Sequence, residues 1–171
     1  MTSIATEKLA MSHRAYLVRE TVISILINAA LSAAFVFIMF GGVDPVPVRG
    51  LGGAVFDFLP QTFMISLMST LVPSALTAKR LRTGSITALP ASMHKLPKAL
   101  LLRSVTVAVV TTIALGIAAA ATFYVAGIGS LPFATLLVTK ILYGALVALI
   151  VTPVVLNDAL ARPMARERIL P

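Results

Sequence analysis

Four long apolar runs alternate with short polar segments along the chain, and they cover about 21–40, 54–78, 99–126 and 134–157. Each run is long enough, at about 1.5 Å per helical residue, to cross a hydrocarbon layer about 30 Å thick. The pattern therefore predicts an all-α integral membrane protein whose four transmembrane helices form two hairpins. We expect one transmembrane domain over 21–157, with cytoplasmic segments at 1–20 and 158–171.

Glycine and proline mark the connections between these runs. The Gly- and Pro-rich segment 41–53 predicts a loop. Pro60 is expected in the first turn of the second helix, where a missing N–H is tolerated, and Pro73 predicts a kink further along. The first run exceeds the roughly 7–15 apolar residues of a signal peptide, so we expect it to be retained as a span.

The basic residues predict an orientation. Twelve of the fourteen lie in the N-terminal segment, around the middle loop 79–98 and in the C-terminal tail, whereas Arg49 and Lys140 lie elsewhere. Cytoplasmic loops carry an excess of Lys and Arg, so both termini and the middle loop are predicted to be cytoplasmic. The expected location is a cell membrane that the chain crosses several times, and more specifically a bacterial inner membrane.

Composition supports a membrane protein and argues against a nucleic-acid-binding one. Hydrophobic residues make up 58% of the chain and charged residues 12%, and the mean hydropathy is +1.00. Soluble domains have about 45–50% apolar and about 25% charged residues. The net charge of +8 comes from residues that flank hydrophobic runs, not from a basic stripe on a soluble surface, so no nucleic-acid partner is expected.

The two hairpins show a faint internal repeat. Each contains a basic residue, a span, a Gly-containing turn and a span with proline near its end, which pairs Arg19 with Arg103 and Pro73 with Pro153. An even number of spans per unit predicts parallel repeats about an axis along the membrane normal. Hydrophobic hairpins also resemble one another by composition, so chance similarity is the alternative.

Small residues four positions apart are expected at helix contacts, because helices in lipid associate by close approach. The second span is bulkier and is predicted to face lipid or to fill a groove on another subunit. The candidate contact pairs are Ala29/Ala33, Ala30/Ala34, Gly116/Ala120, Ala118/Thr122 and Gly144/Ala148.

Four residues form a candidate intramembrane polar cluster, since ionisable and amide groups at membrane depth are costly and often functional. Lys140 could extend towards Asp57, with Gln61 one turn deeper; alternatively, Lys140 snorkels alone to the headgroups. Asn28 is expected to form a hydrogen bond across helices. Six mid-helix hydroxyls can bond to their own helix backbones: Ser66, Ser69, Thr70, Thr106, Thr111 and Thr112.

The predicted cytoplasmic face carries further candidates. Glu20 is expected to be a carboxylate at a helix N-terminus, close to Arg19 or Arg103. Five basic residues could contact anionic lipid or a cytoplasmic partner, or could only set the topology: Lys79, Arg80, Arg82, Lys95 and Lys98.

No catalytic, cofactor-binding or metal-binding residues are predicted. Cysteine is absent, and the only histidines, His13 and His94, are isolated in polar segments. The metalloprotease, Walker A and G-x-S-x-G motifs are also absent. Enzymatic activity and a cofactor are therefore not expected.

Two functions are consistent with the sequence. The first is a small polytopic inner-membrane protein without enzymatic activity, acting as an accessory, assembly or regulatory subunit. Its expected partners are membrane lipids and either another membrane protein or further copies of itself as a homo-oligomer. The alternative is a small oligomeric transporter or channel for a small solute or ion, with a path along Asp57, Gln61, Lys140 and Asn28.

Overall fold

The computed structural model describes residues 12–90 and 96–162, and four helices within them are long and apolar enough to cross a membrane. The third of these is continuous but contains a π-helical turn, Thr112–Gly116. The prediction of an all-helical chain with four long apolar helices is confirmed. The elements are α1 His13–Phe40, β1 Val46–Pro47, α2 Phe58–Arg82, α3 Leu100–Thr111, α4 Ile117–Val125, β2 Ser130–Leu131 and α5 Phe133–Leu160.

The helix boundaries differ from the predicted ones mainly at the start of α1. This helix begins at His13 rather than near residue 21, because the Ser12 hydroxyl accepts a hydrogen bond from the Ala15 N–H at 3.2 Å and caps it. Pro60 lies in the first turn of α2, as predicted, and Pro73 lies inside that helix. A capped polar start therefore extends α1 beyond its apolar run.

The outer helix of each hairpin packs mainly against a helix of the other hairpin. Helix α1 packs mainly along α5, and the α3–α4 span packs along α2, while α2 and α5 pack against each other at the centre. Helices α1 and α2 touch at few points although they are neighbours in sequence. Helix α2 is central and the most buried of the four spans. Of the bulky side chains of the second span, Phe58 is buried, whereas Phe56, Met64 and Met68 are exposed, so that side of the span can still face lipid or another subunit, as predicted.

The connections within the two hairpins meet at one end of the bundle, which we call the loop end. There β1 and β2 pair antiparallel, with Val46 opposite Leu131 and Pro47 opposite Ser130. At the opposite end, the terminal end, the Leu89 N–H donates to the Leu160 carbonyl at 3.0 Å. Both ends of the bundle are therefore tied by main-chain hydrogen bonds between the hairpins.

The two strands are 84 positions apart, since Val46 is followed by Ser130 and Pro47 by Leu131 at that spacing. Any antiparallel pair of strands has a two-fold axis through its centre, so the support for a repeat comes from the helix contacts at the same spacing. The same shift relates Arg19 to Arg103, the pair that the sequence pattern had matched.

Two close helix contacts repeat in the same way. A Cβ added at Gly144 of α5 would overlap the Ser32 hydroxyl of α1, and a Cβ added at Gly116 would lie 3.2 Å from the Thr62 hydroxyl of α2. Ser32 and Gly116 are 84 positions apart, and Thr62 and Gly144 are 82 apart. The α1 contacts with α5 thus correspond to the contacts of the third span with α2.

The observed correspondence corrects the predicted one for the prolines. A shift of 82 aligns the buried positions of α2 with those of α5, and it places Pro73 at Val155, which is also buried. Pro153 is therefore two positions out of register with Pro73. Similar helix composition made the two prolines look equivalent, whereas the buried faces set the true alignment.

The buried face of α1 recurs at nearly every fourth residue and is largely polar. This spacing keeps one stripe of the helix towards the bundle and leaves the apolar side outside. Ala30, Ala34 and Ala118, predicted at contacts, are exposed, whereas Gly116, Gly144 and Ala148 are buried. The stripe along α1 consists of Tyr16, Glu20, Ser24, Asn28, Ser32, Val36 and Phe40.

We expect Gly144→Val to lower the free energy of unfolding by about 1–3 kcal/mol, because the added side chain overpacks the α1–α5 contact. Titration of the detergent-solubilised protein with SDS measures this loss. Gly129→Val is the matched control, since a Cβ there has no neighbour within 4 Å. Equal losses for the two variants would contradict the close approach of α1 and α5.

Candidate functional site

A buried ion pair joins α2 and α5 near the loop end. The Lys140 Nζ lies 3.0 Å from the Asp57 Oδ2, and the lysine side chain is 0% exposed. The ammonium group also lies 3.6 Å from the centroid of the Phe58 ring, within the range of a cation–π interaction. The structure thus brings Asp57 and Lys140 together, and it does not show Lys140 extending alone to the surface.

An aromatic cluster covers this ion pair. The Phe58 ring stacks on Phe123 at 5.4 Å between centroids and meets the edge of Tyr143 at 4.9 Å. Apolar rings around the charges lower the local dielectric constant and strengthen their attraction. Because α2 and α5 are the central helices, the pair links the elements around which the other two spans pack.

Gln61 lies one helical turn below Asp57, as predicted, and joins three helices. Its Nε2 donates to the Ser32 hydroxyl of α1 at 2.9 Å and to the Lys140 carbonyl of α5 at 3.4 Å. The side chain is buried between these helices. Gln61 therefore holds α1 and α2 at a fixed separation beside the ion pair.

Asn28 forms the predicted bond across helices. Its Nδ2 donates to the Ser69 hydroxyl of α2 at 3.0 Å and to the Ser24 carbonyl within α1 at 2.8 Å. Thr152 of α5 donates to the Ser24 hydroxyl at 2.8 Å. Of the hydroxyls expected to bond their own backbones, Thr70, Thr106 and Thr112 do so. Ser69 instead contacts Ser24 and Asn28, which lie opposite it.

The sequence analysis missed Ser32, Ser24 and Thr152 as members of this network. The available signal was their spacing, since Ser24, Asn28 and Ser32 recur every four residues and must share one helix face. A hydroxyl on a face that also carries an amide has a partner within reach on a neighbouring helix. Thr152 carries no such signal, because the order of helix packing decides that it faces α1.

Ion pairs close the terminal end of the bundle. The Arg80 guanidinium lies 2.6 Å from the Glu20 carboxylate and 5.1 Å from the centroid of the Tyr16 ring. Glu20 therefore pairs with Arg80 of its own hairpin, not with the predicted Arg19 or Arg103. Proximity in sequence misled that prediction, because α2 returns to the level of Glu20 at Arg80.

A second cluster occupies the same end in the other hairpin. Arg103 lies 3.2 Å from Asp158, and Arg162 lies 2.7 Å from the same carboxylate. Of the basic residues predicted to contact lipid or a partner, Arg80 is engaged by Glu20, and Lys95 lies outside the described residues. The other three, Lys79, Arg82 and Lys98, are exposed.

A groove opens between α1 and α2, which touch each other at few points. It encloses about 320 Å³. Its floor consists of buried Asn28, Ser32, Gln61 and Ile65. Its rim is apolar, and each rim side chain is between 40% and 50% exposed: Leu31, Phe35, Met64 and Met68.

Both amides in the floor carry an oxygen without a partner. Asn28 Oδ1 and Gln61 Oε1 are buried and accept no hydrogen bond from the residues that the structure describes. The NH₂ group of each amide faces a main-chain carbonyl, which can only accept, so the oxygen is the unpaired end. A buried acceptor left unpaired costs about 1–3 kcal/mol.

This arrangement can stabilise helix contacts and accept hydrogen bonds. Within residues 12–90 and 96–162, no three His, Asp or Glu side chains group as metal ligands would. Comparison of the chain with protein-family models, with curated proteins and with solved structures gives no match.

We expect Lys140→Met and Asp57→Asn each to destabilise the protein by about 3–5 kcal/mol, because each leaves one charge buried and unpaired. The double variant should lose less than the two single losses combined. Unfolding free energies in SDS titration give the coupling, with exposed Lys98→Met as the control. Simple additivity would show that the two charges do not interact.

Proposed function

We propose that the chain is a multi-pass protein of the bacterial inner membrane that acts, without enzymatic activity, as an accessory, assembly or regulatory subunit. The groove between α1 and α2 is the observation that carries this proposal. It is concave, it lies at the depth of the spans, and two buried amide oxygens beneath its apolar surface have unused hydrogen-bonding capacity. A surface of this kind suits the binding of another membrane protein better than chemistry on a substrate.

The charged residues within the spans support a binding role over catalysis. Lys140 and Asp57 neutralise each other at the loop end, as Glu20 and Arg80 do at the terminal end. A catalytic acid, base or nucleophile must reach a substrate, whereas these groups are held by one another. Their arrangement is that of a scaffold that positions α1 and α2.

The proposed orientation places the terminal end in the cytoplasm. Exposed basic residues crowd this end, as the positive-inside rule requires. Anionic headgroups would attract them by about 1 kcal/mol per residue near the surface, so membrane lipid is a proposed partner. The residues concerned are Arg14, Arg19, Lys79, Arg82 and Lys98.

A second candidate function, a small oligomeric transporter or channel, is favoured by the polar interior. Asp57 and Lys140, then Gln61, then Asn28 occupy successive depths from the loop end. Four helices alone rarely enclose a pore, so this function requires several copies or a rearrangement that frees the buried ion pair.

The subunit function predicts a stable complex. The tagged chain, extracted from its native membrane in mild detergent, should carry another membrane protein at fixed stoichiometry in native mass spectrometry. Lys98→Met should retain that protein, since Lys98 is exposed and far from the groove. Recovery of only a single chain with bound lipid would count against a subunit role.

The transport function predicts cation flux that depends on the ion pair. K⁺ flux into proteoliposomes should be lost when Asp57→Asn and Lys140→Met are combined, because the path would lose both charges. Lys98→Met provides the control. Flux that persists in the double variant would eliminate this route.

A further inference from the structure

The second hairpin provides an internal control for the amides of the groove. The shifts of 84 and 82 positions place Thr112 where the first hairpin has Asn28, and Tyr143 where it has Gln61. Thr112 donates to the Ala108 carbonyl within its own helix, and Tyr143 contacts the Thr62 hydroxyl inside the bundle. The second hairpin therefore packs at equivalent positions without an amide and without an orphaned oxygen there.

Helix packing alone thus does not require Asn28 and Gln61. Two amides with unpaired oxygens are a net cost to the folded chain, and both lie beneath the same groove. Among the described residues, the hydroxyls of Thr21, Ser66 and Ser74 are also unpaired, but they do not line the groove. The common position of the two amide oxygens beneath one groove points to a contact made by something outside the chain.

We propose that the α1–α2 groove binds a transmembrane helix of another protein, and that this helix carries an Asn or Gln side chain as hydrogen-bond donor at the depth of Asn28 and Gln61. This inference rests on the proposed subunit function and specifies its partner. The donor satisfies the Asn28 Oδ1 and Gln61 Oε1, and apolar side chains of the same helix cover the rim.

Hydrogen-bond complementarity selects a protein over a lipid tail. Acyl chains have no donor, and at this depth water is too scarce to supply one. A helix also matches the geometry, because α1 and α2 are both long enough to flank it along the groove. Met64 and Met68 line the α2 side, and their flexible thioether chains can repack to admit a donor to the covered oxygens.

The lipid-facing hydroxyls of the second hairpin favour another protein over a second copy of this chain. Thr122 is exposed and Thr106 and Thr139 are half-buried, and each already donates to a carbonyl four residues back in its own helix. A second copy would present these engaged hydroxyls to the groove and would leave the amide oxygens unpaired.

A designed transmembrane peptide tests the inference on the full chain. The probe is a Leu/Ala helix of about 20 residues with one central Asn, and its twin has Leu at that place. Because the chain has no cysteine, Leu51→Cys in the exposed loop can be labelled with a single dye. Energy transfer in vesicles between this dye and a dye on the peptide reports their association. We expect the Asn peptide to bind about five- to thirtyfold more tightly than the Leu peptide, as one interhelical hydrogen bond allows.

Variants and a cross-linker locate the binding. Asn28→Leu and Gln61→Leu should each abolish the preference for the Asn peptide, whereas Thr112→Val, at the equivalent position of the second hairpin, should retain it. A photoreactive residue at Met64 should cross-link the peptide, and one at Ile113, which is exposed on the other hairpin, should not. The cross-linking experiment leaves Asn28 and Gln61 unchanged, so it tests where the peptide binds even if an amide variant fails to fold.

Three outcomes would overturn the inference. Equal binding of both peptides would show that any apolar helix or lipid fills the groove. If two labelled copies of the chain show energy transfer with each other and do not bind the peptide, the groove would be assigned to a second copy. Cross-links from Ile113 alone would show that the peptide binds at the other hairpin and not in the groove. In that case, a complex recovered from the native membrane would still support the subunit function.

Discussion

Hydrogen bonds from the buried polar side chains of α1 link this span to its neighbours, and the packing of the four spans depends on them. The inner stripe of α1 presents Ser24, Asn28 and Ser32, and each of them bonds to α2 or α5. Hydrophobic burial cannot choose between neighbouring helices in lipid, because their surfaces are equally apolar. Hydrogen bonds therefore fix which helices are neighbours, and at the two ends ion pairs and main-chain bonds complete the assembly.

The two hairpins share a backbone arrangement but differ in their chemistry. The close contacts at Gly144 and Gly116 repeat with nearly constant shifts, so both halves use the same helix geometry. Where α1 carries Ser24 and Asn28, the third span carries Ala108 and Thr112. The polar network is thus a property of the first hairpin, added to a packing scheme that also works without it. This separation between the fold and its polar groups is why the groove is a better candidate for function than the bundle core.

Sequence reasoning succeeded where an average over many residues decides the outcome. The four spans follow from hydropathy over about 20 residues. The common depth of Asp57 and Lys140 made their contact one of two alternatives, beside a lysine that extends alone to the headgroups. Sequence reasoning failed where a single neighbour decides. The order of helix packing places Arg80 beside Glu20 and puts α2 at the centre, and neither spacing nor composition encodes that order. The π-helical turn that ends at Gly116, where the third span approaches Thr62, also had no signal in the sequence.

The contacts between α1 and α2 change along their length. Where two spans meet through glycine, as at Gly144 and Ser32, the backbones approach until a Cβ no longer fits. On the terminal side of the groove, α1 and α2 also meet through short hydroxyl contacts, such as Ser24 with Ser69 at 3.3 Å. At the groove itself the bridge is longer, because the Gln61 amide reaches Ser32. The amides of Gln61 and Asn28 therefore do two things at once: they join the two helices beside the groove, and their unpaired oxygens lie beneath it. Shorter polar residues at these two positions would remove both the bridges and the acceptors.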